Sequence, residues 1–287
     1  MSSSPEPAPS WSQPASDVPA SPPHKPPLEK AALGTGRPVE KIRYLDAIRS
    51  IFAHPEWFKN LLMGSLCLFI PVLNQLIIFG YSYEITEMLH RRQTTTYPLF
   101  DFKRFTAYIT RGVWPFLISF IVQTILQPVI QFSVQGSVMG TMMALENDET
   151  VGTIVAAIVI PLVIIFLLVL TVGLTLVLTP LLMRAGLSQD FVQAFRFGWI
   201  KDFIRRMWLE TILVNLFVIL TSCIFVPLGC ILFCYPGFVI AMGLSIAGAN
   251  LNWQLYELYL ARGGEPIPLK PLPADVPPVV QAAQPTA

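Results

Sequence analysis

Residues 151–183 read VGTIVAAIVIPLVIIFLLVLTVGLTLVLTPLLM, a run of 33 residues without a single Asp, Glu, Lys, Arg or His. A helix needs about 20 predominantly apolar residues to cross the hydrocarbon core of a bilayer. The run therefore predicts a transmembrane helix. It is longer than the hydrocarbon is thick, so we expect tilt, a kink near Pro161 or ends that reach the interface.

Four further apolar blocks accompany this run. The whole chain is 53% hydrophobic and 13% charged, whereas an average soluble domain carries about 25% charged residues. The first block is interrupted by Pro71, and the other four are long enough to cross a bilayer. The blocks lie at residues 61–83, 114–132, 151–183, 208–226 and 236–260. The sequence thus predicts an all-α membrane protein: a bundle of about four full transmembrane helices after an N-terminal re-entrant or Pro-kinked hydrophobic segment.

The two ends of the chain differ in composition from these blocks. Residues 1–38 are rich in Pro, Ser and Ala, and residues 263–287 are rich in Pro, Ala and Val. Such segments cannot bury enough apolar surface to offset the entropy of ordering the chain. We therefore expect two disordered Pro-rich tails around a multipass membrane domain at residues 39–262.

The basic residues are distributed unevenly between the connections. All 19 Lys and Arg residues lie before the first block, between the first and second, between the third and fourth, or after the fifth. The connection between the second and third blocks carries only acids, and residues 227–235 carry no charge. Because basic loops stay in the cytoplasm, both termini are predicted to be cytoplasmic. The expected location is a cell membrane of the bacterial inner-membrane type.

The first block has basic residues on both sides, so a single crossing would export one of the two groups. Pro71 lacks a backbone donor and interrupts the block near its middle. We therefore favour a re-entrant hairpin of two half-helices with residues 71–75 at its tip. Broken backbone inside a membrane must be satisfied by protein or water, which makes this tip a candidate functional region. A single Pro-kinked crossing with an external amino terminus is the alternative.

Three stretches have the pattern of amphipathic interfacial helices. In the stretch that begins at Ser188, aromatic residues recur at every fourth position. Residues 42–51 alternate apolar and basic side chains, and residues 102–108 form a shorter version. Basic amphipathic helices usually anchor on anionic lipid, so we expect these stretches to lie along the inner leaflet.

Side chains suited to catalysis or metal binding are scarce. The three histidines, His24, His54 and His90, lack metal-ligand spacing with another His, Cys or acid. The sequence has no Gly-rich phosphate loop, serine elbow or acidic metal motif. With a net charge of +1 it also has no concentrated basic face for nucleic acid. We predict no catalytic residue, no cofactor and no metal site, and a protein that is not an enzyme. Its expected partners are the lipid bilayer and other membrane proteins, with no nucleic acid.

Uncharged polar side chains at membrane depth are the remaining signal. The candidate polar membrane site consists of Asn74, Gln75, Gln123 and Gln127, with the helix break at Pro71. In one interpretation the protein is a non-enzymatic scaffold or accessory subunit, and the amides hydrogen-bond to neighbouring helices. In the other it is a small transporter or channel, and a water-filled cavity joins the hairpin tip to the glutamines of the second block. We favour the scaffold.

Several short motifs, taken in order, resemble a known family. Residues 51–81 read IFAHPEWFKNLLMGSLCLFIPVLNQLIIFGY, residues 97–112 read YPLFDFKRFTAYITRG, and residues 194–204 read AFRFGWIKDFI. Together with residues 254–256 they resemble the bacterial and archaeal membrane proteins grouped as domain of unknown function 4013. The resemblance covers roughly residues 45–262. That family often has Trp and acids after the Pro-Leu pair, where this chain has FDFK. The resemblance implies a multipass architecture and adds no catalytic residue.

Overall fold

The computed structural model describes residues 41–70, 73–91, 96–232 and 234–270. Most of the two predicted tails and the predicted break at Pro71 lie outside these residues. The regular structure of the described part is entirely helical. Its α-helices are α1 (Tyr44–Ile51), α2 (Trp57–Leu66), α3 (Leu73–His90), α4 (Phe105–Asn147), α5 (Glu149–Ser188), α6 (Phe191–Ala194), α7 (Phe197–Leu232) and α8 (Cys234–Ala261). Short 3-10 helices lie at Cys67–Phe69 and Phe102–Arg104.

Four of these helices, α4, α5, α7 and α8, are long and apolar enough to cross a membrane. This confirms the predicted all-α membrane fold. The helices extend beyond the predicted apolar blocks, and the prolines inside them do not end them. Pro180 lies inside α5, which continues to Ser188 and ends at Gln189 in the left-handed conformation. Neighbouring groups in a membrane helix can satisfy the backbone that a proline leaves free.

The chain reverses its direction between α2 and α3. The Asn60 side-chain amide on α2 donates to the Tyr81 hydroxyl on α3 over 2.9 Å. Phe69, just before the reversal, packs on Phe238 near the start of α8, with ring centroids 4.6 Å apart. Thr86 and His90 then contact Ala249 and Glu257 progressively further along α8. The first block is therefore a helical hairpin, as its basic flanks predicted.

Both ends of this hairpin lie beside the carboxyl half of α8. The backbone amide of Arg43, before α1, donates to the Gln254 side chain over 2.6 Å. His90, at the end of α3, contacts Glu257 at 2.6 Å. The two basic flanks of the first block therefore lie on the same side of the molecule, which a single kinked crossing could not achieve.

The aromatic face that begins at Ser188 is packed differently from the predicted interfacial helix. The stretch divides into the one-turn helix α6 and the start of α7. Trp199 and Phe203 are buried against Tyr259 of α8, with ring centroids 5.2 and 5.0 Å apart. A four-residue aromatic period marks an apolar face, but it does not show whether lipid or another helix covers that face.

From residue 120 to residue 170, helices α4 and α5 pack on each other and bury few of their side chains. Their turn is the single residue Asp148, whose carboxylate accepts from the amides of Thr150 and Val151 and so caps α5. Between residues 120 and 170 only Thr141 and Gly152 are buried. We name residues 120–170 the α4–α5 arm. Its two helices extend for about 40 and 33 Å at 1.5 Å per residue, so each could cross a hydrocarbon core.

Candidate functional site

The first half of the predicted polar site, Asn74 and Gln75, lies in the first turn of α3. The Nδ2 atom of Asn74 donates to the Leu68 carbonyl over 3.4 Å. Its Oδ1 is buried and has no hydrogen-bond partner among the described residues. Gln75 is exposed. An unpartnered buried oxygen is uncommon, so Asn74 is the most unusual polar group at this end of the hairpin.

The second half of the predicted site lies elsewhere along α4. Gly112 packs against the backbone of Leu76 on α3, and α4 runs antiparallel to α3 from there. Gln123 lies eleven residues beyond Gly112, which corresponds to about 16 Å of helix. Gln123 and Gln127 are both exposed. The structure therefore does not bring the two pairs of amides together, and a cavity between them stays a prediction.

Four glutamines form a continuous exposed row on the α4–α5 arm. The row, which we name the glutamine ladder, consists of Gln123, Gln127, Gln131 and Gln135, and all four are exposed. Gln135 Nε2 donates to Gln131 Oε1 over 3.1 Å. Gln135 lies beyond the predicted second block, which ends at residue 132, although the four-residue spacing continues through it.

The packing of α4 on α5 shows which part of α5 lies beside the glutamine ladder. Gly152 lies against the backbone of Leu145, which fixes the antiparallel register. Fourteen residues before Leu145 is Gln131, and fourteen residues after Gly152 is Phe166. Phe166 is near the middle of the charge-free run 151–183. The glutamine ladder therefore lies at the level where α5 is most apolar.

A buried ionic cluster joins α3 to α4 at the other end of these helices. Glu84 and Glu87 lie one turn apart on α3 and are 4% and 2% exposed. Glu84 pairs with Arg104 at 2.6 Å, and Glu87 pairs with Arg91 at 2.7 Å and with Arg111 at 2.6 Å. Both acids directly follow the first apolar block in the sequence, whereas their basic partners come from three separate places in the chain. We name these five residues the α3 ionic cluster.

The connection between α3 and α4 is tied to the hairpin by buried hydrogen bonds. Asn60 Oδ1 accepts from the Phe100 amide over 2.5 Å, and the Tyr97 hydroxyl donates to the Ile51 carbonyl over 2.7 Å. Burial raises the pKa of Tyr97 to about 12. The phenol therefore stays a neutral donor at physiological pH.

Arg184 is the largest fully buried polar side chain of the described residues. Its Nε donates to the Gln193 carbonyl over 2.5 Å, its Nη2 donates to the Gln193 side chain over 3.2 Å, and its guanidinium lies 5.2 Å from the Trp199 ring centroid. These contacts fasten the end of α5 to α6 and α7. Within the described residues, no group of three or more His, Cys, Asp or Glu side chains could hold a metal ion.

The fold and its polar groups define an α-helical integral membrane protein whose buried charges hold helices together at one end. A family model described as "Protein of unknown function (DUF4013)" matches residues 63–234. This match covers more than half of the chain, and the protein belongs to that family. No curated protein and no solved structure matches it.

Proposed function

We propose that this protein is a non-enzymatic scaffold or accessory subunit that assembles within the membrane through its α4–α5 arm. The observation that supports this most directly is the glutamine ladder. Four amides are exposed on the surface of a helix, at the level where the adjacent helix carries no charge over 33 residues. The location we propose is a cell membrane of the bacterial inner-membrane type, with both termini in the cytoplasm.

The acyl chains of lipids cannot hydrogen-bond to this row of side chains. Moving an amide from water into hydrocarbon without a hydrogen bond costs several kcal/mol, about 4 to 8 on the cyclohexane scale. The bond between Gln131 and Gln135 satisfies only part of the donors and acceptors of those two amides. Amide side chains in membrane helices commonly hydrogen-bond across to a neighbouring helix. The ladder is therefore better suited to a protein neighbour than to acyl chains.

The partner that fits this surface is a second copy of the chain. Two copies with the same topology are related by a two-fold axis along the membrane normal, so each ladder residue meets its equivalent at the same depth. A glutamine amide carries both donors and an acceptor and is therefore complementary to itself. Two ladders can satisfy each other without any further polar group.

Replacing the four ladder glutamines with leucine should weaken this association at least tenfold. Interhelical amide bonds in membranes are worth about 1–2 kcal/mol in model peptides, and 1.4 kcal/mol corresponds to a factor of ten. The measurement is single-molecule photobleaching of labelled protein in liposomes over a dilution series. The wild type should bleach in two steps, and the Q123L/Q127L/Q131L/Q135L variant should bleach in one.

The matched control changes four exposed apolar residues of α5 and leaves the ladder intact: Ile154→Leu, Ile158→Leu, Leu162→Ile and Ile165→Leu. This variant should associate like the wild type. A wild-type protein that stays monomeric at every density, or a leucine variant that dimerises equally well, would contradict the proposal.

A transporter or channel is the second candidate, and the buried, unpartnered Oδ1 of Asn74 favours it. A water-filled path would supply the missing partner. Cysteine at position 74, in a protein without its native cysteines, would then react with a small water-soluble thiol reagent in sealed inside-out vesicles. If the scaffold proposal holds, Asn74→Cys should stay unreactive, while a cysteine at the exposed loop residue Lys103 reacts.

The proposed topology has its own test. Single cysteines at Ser12, Lys103 and Asn147 would be treated with a membrane-impermeant reagent in intact cells. Only the Asn147→Cys protein should be labelled, because basic connections stay inside and the acidic α4–α5 turn lies outside. Labelling of Ser12→Cys from outside would overturn the cytoplasmic assignment of the amino terminus.

A further inference from the structure

An apolar groove lies between α1, α2, α7 and α8, away from the α4–α5 arm. Its volume is 290 Å³, and its walls include Ile48, Phe52, Trp57, Thr221, Phe225 and Gly243. The Thr221 hydroxyl donates to the Phe217 carbonyl over 2.7 Å, so this polar group is already satisfied. The groove therefore favours an apolar occupant.

The two ends of the groove differ in their surroundings. One end is formed by the connection between α1 and α2, with Phe52 and Trp57 next to exposed charged residues. Charged side chains and tryptophan are typical of the headgroup level of a bilayer. The other end is formed by Phe225, Val239 and Ile240 on two of the membrane-spanning helices. We therefore expect the charged end to face the headgroups and the other end to face the hydrocarbon.

The headgroup end carries an excess of positive charge. Asp46 lies 3.6 Å from Arg43 and 3.7 Å from Arg49, so two arginines share one carboxylate. Lys59 is paired with Glu56 at 3.1 Å. The Arg49 side chain is 79% exposed and follows the wall residue Ile48 directly in the chain. Among the described residues, two arginines near the mouth of the groove therefore share a single acid.

The size of the groove limits what can enter it. A cavity needs about 10–15 Å³ on this measure to hold one water molecule, so 290 Å³ leaves room for a segment of one hydrocarbon chain. A helix with its side chains is about 10 Å across and needs a much wider site. Single acyl chains are the narrow apolar groups that a bilayer supplies.

We propose that this groove binds one acyl chain of an anionic phospholipid, with the phosphate held near Arg49 and the chain lying between Trp57 and Phe225. The site is separate from the glutamine ladder and does not depend on self-association. Occupancy by lipid would join α1 and α2 to α7 and α8 on a face where the chain itself leaves a gap.

Native mass spectrometry tests the proposal on full-length protein released from nanodiscs of mixed phosphatidylglycerol and phosphatidylcholine. The wild type should retain one phosphatidylglycerol per protomer. Thr221→Phe, which projects a ring into the groove, should reduce retention about tenfold. Leu220→Phe is the matched control, because this neighbour on α7 is exposed and does not line the groove. Arg49→Gln should lower the preference for phosphatidylglycerol about fivefold, whereas Lys103→Gln should not.

Three results would overturn the proposal. Equal retention of the two phospholipids would show that the mouth of the groove does not prefer an anionic headgroup. Equal retention by Thr221→Phe and Leu220→Phe would place the lipid outside the groove. Retention of oleate in place of phosphatidylglycerol, when oleate is added to the nanodiscs, would exclude the phospholipid headgroup. Circular dichroism of each variant separates loss of lipid from loss of fold. Thr221→Phe should dimerise like the wild type, which separates this proposal from the proposal for the glutamine ladder.

Discussion

Replacement of Gly112 by alanine is expected to destabilise the protein by about 3 kcal/mol or more, and valine at this position should prevent folding. A Cβ on Gly112 would lie 1.9 Å from the carbonyl oxygen of Leu76, and one on Gly80 would lie 1.9 Å from that of Tyr108. These obstacles are backbone atoms of packed helices, so they cannot rotate away. Overpacking a core costs about 1–3 kcal/mol and occasionally more, and separation of two helix backbones belongs at the upper end.

The measurement is the thermal unfolding midpoint in detergent, with gel filtration to detect aggregated protein. The same helix offers a control, since Gly136 and Gly140 have open space around a built Cβ. Alanine at either position should leave the midpoint unchanged or raise it slightly, because alanine favours a helix by about 1 kcal/mol over glycine. A Gly112→Ala protein that unfolds at the wild-type temperature would show that α3 and α4 do not approach this closely.

Substitution of Glu87 by glutamine should destabilise the protein by about 3 kcal/mol. The carboxylate is 3% exposed and pairs with Arg91 and Arg111, whose side chains are 23% and 15% exposed. Removing one member of a buried ion pair leaves charge in a poorly solvated place and costs about 3–5 kcal/mol. The partial exposure of both arginines places the expected value at the lower end. The measurement is equilibrium unfolding in bicelles.

Asp46 provides the comparison for Glu87. It also contacts two arginines, but their side chains are 74% and 79% exposed. Asp46→Asn should therefore cost less than about 1 kcal/mol, as surface pairs do. A double-mutant cycle of Glu87→Gln and Arg111→Gln should give a coupling free energy above about 1 kcal/mol. Equal losses for Glu87→Gln and Asp46→Asn would show that the α3 ionic cluster does not hold the helices together.

The architecture was predictable because its signals are local in the sequence. A charge-free run of 33 residues excludes most alternatives to a membrane helix by composition alone. The hairpin was predictable for a related reason. Basic residues before and after residues 61–83 cannot both remain on one side if the chain crosses once.

The motifs that resemble the family illustrate how separate stretches of sequence meet in space. The Tyr81 hydroxyl, in the first motif, donates to the Pro98 carbonyl in the second over 2.7 Å. Trp199, in the third, packs on Tyr259, three residues after the fourth. Their spacing along the chain contained no information about these contacts. Residues 120–170, which none of the motifs includes, form the exposed arm.

By itself the sequence determined the helical membrane fold, the number of long spans and the reversal near Pro71, because hydrophobicity and charge act on each segment separately. The tertiary structure decided which polar groups are neighbours. It paired Glu84 and Glu87 with arginines from other segments, separated Asn74 from Gln123, and buried the aromatic face of α7 against α8. Such pairings depend on helix register and direction. These are set by backbone contacts, such as that between Gly112 and Leu76, which no periodic pattern within one segment can specify.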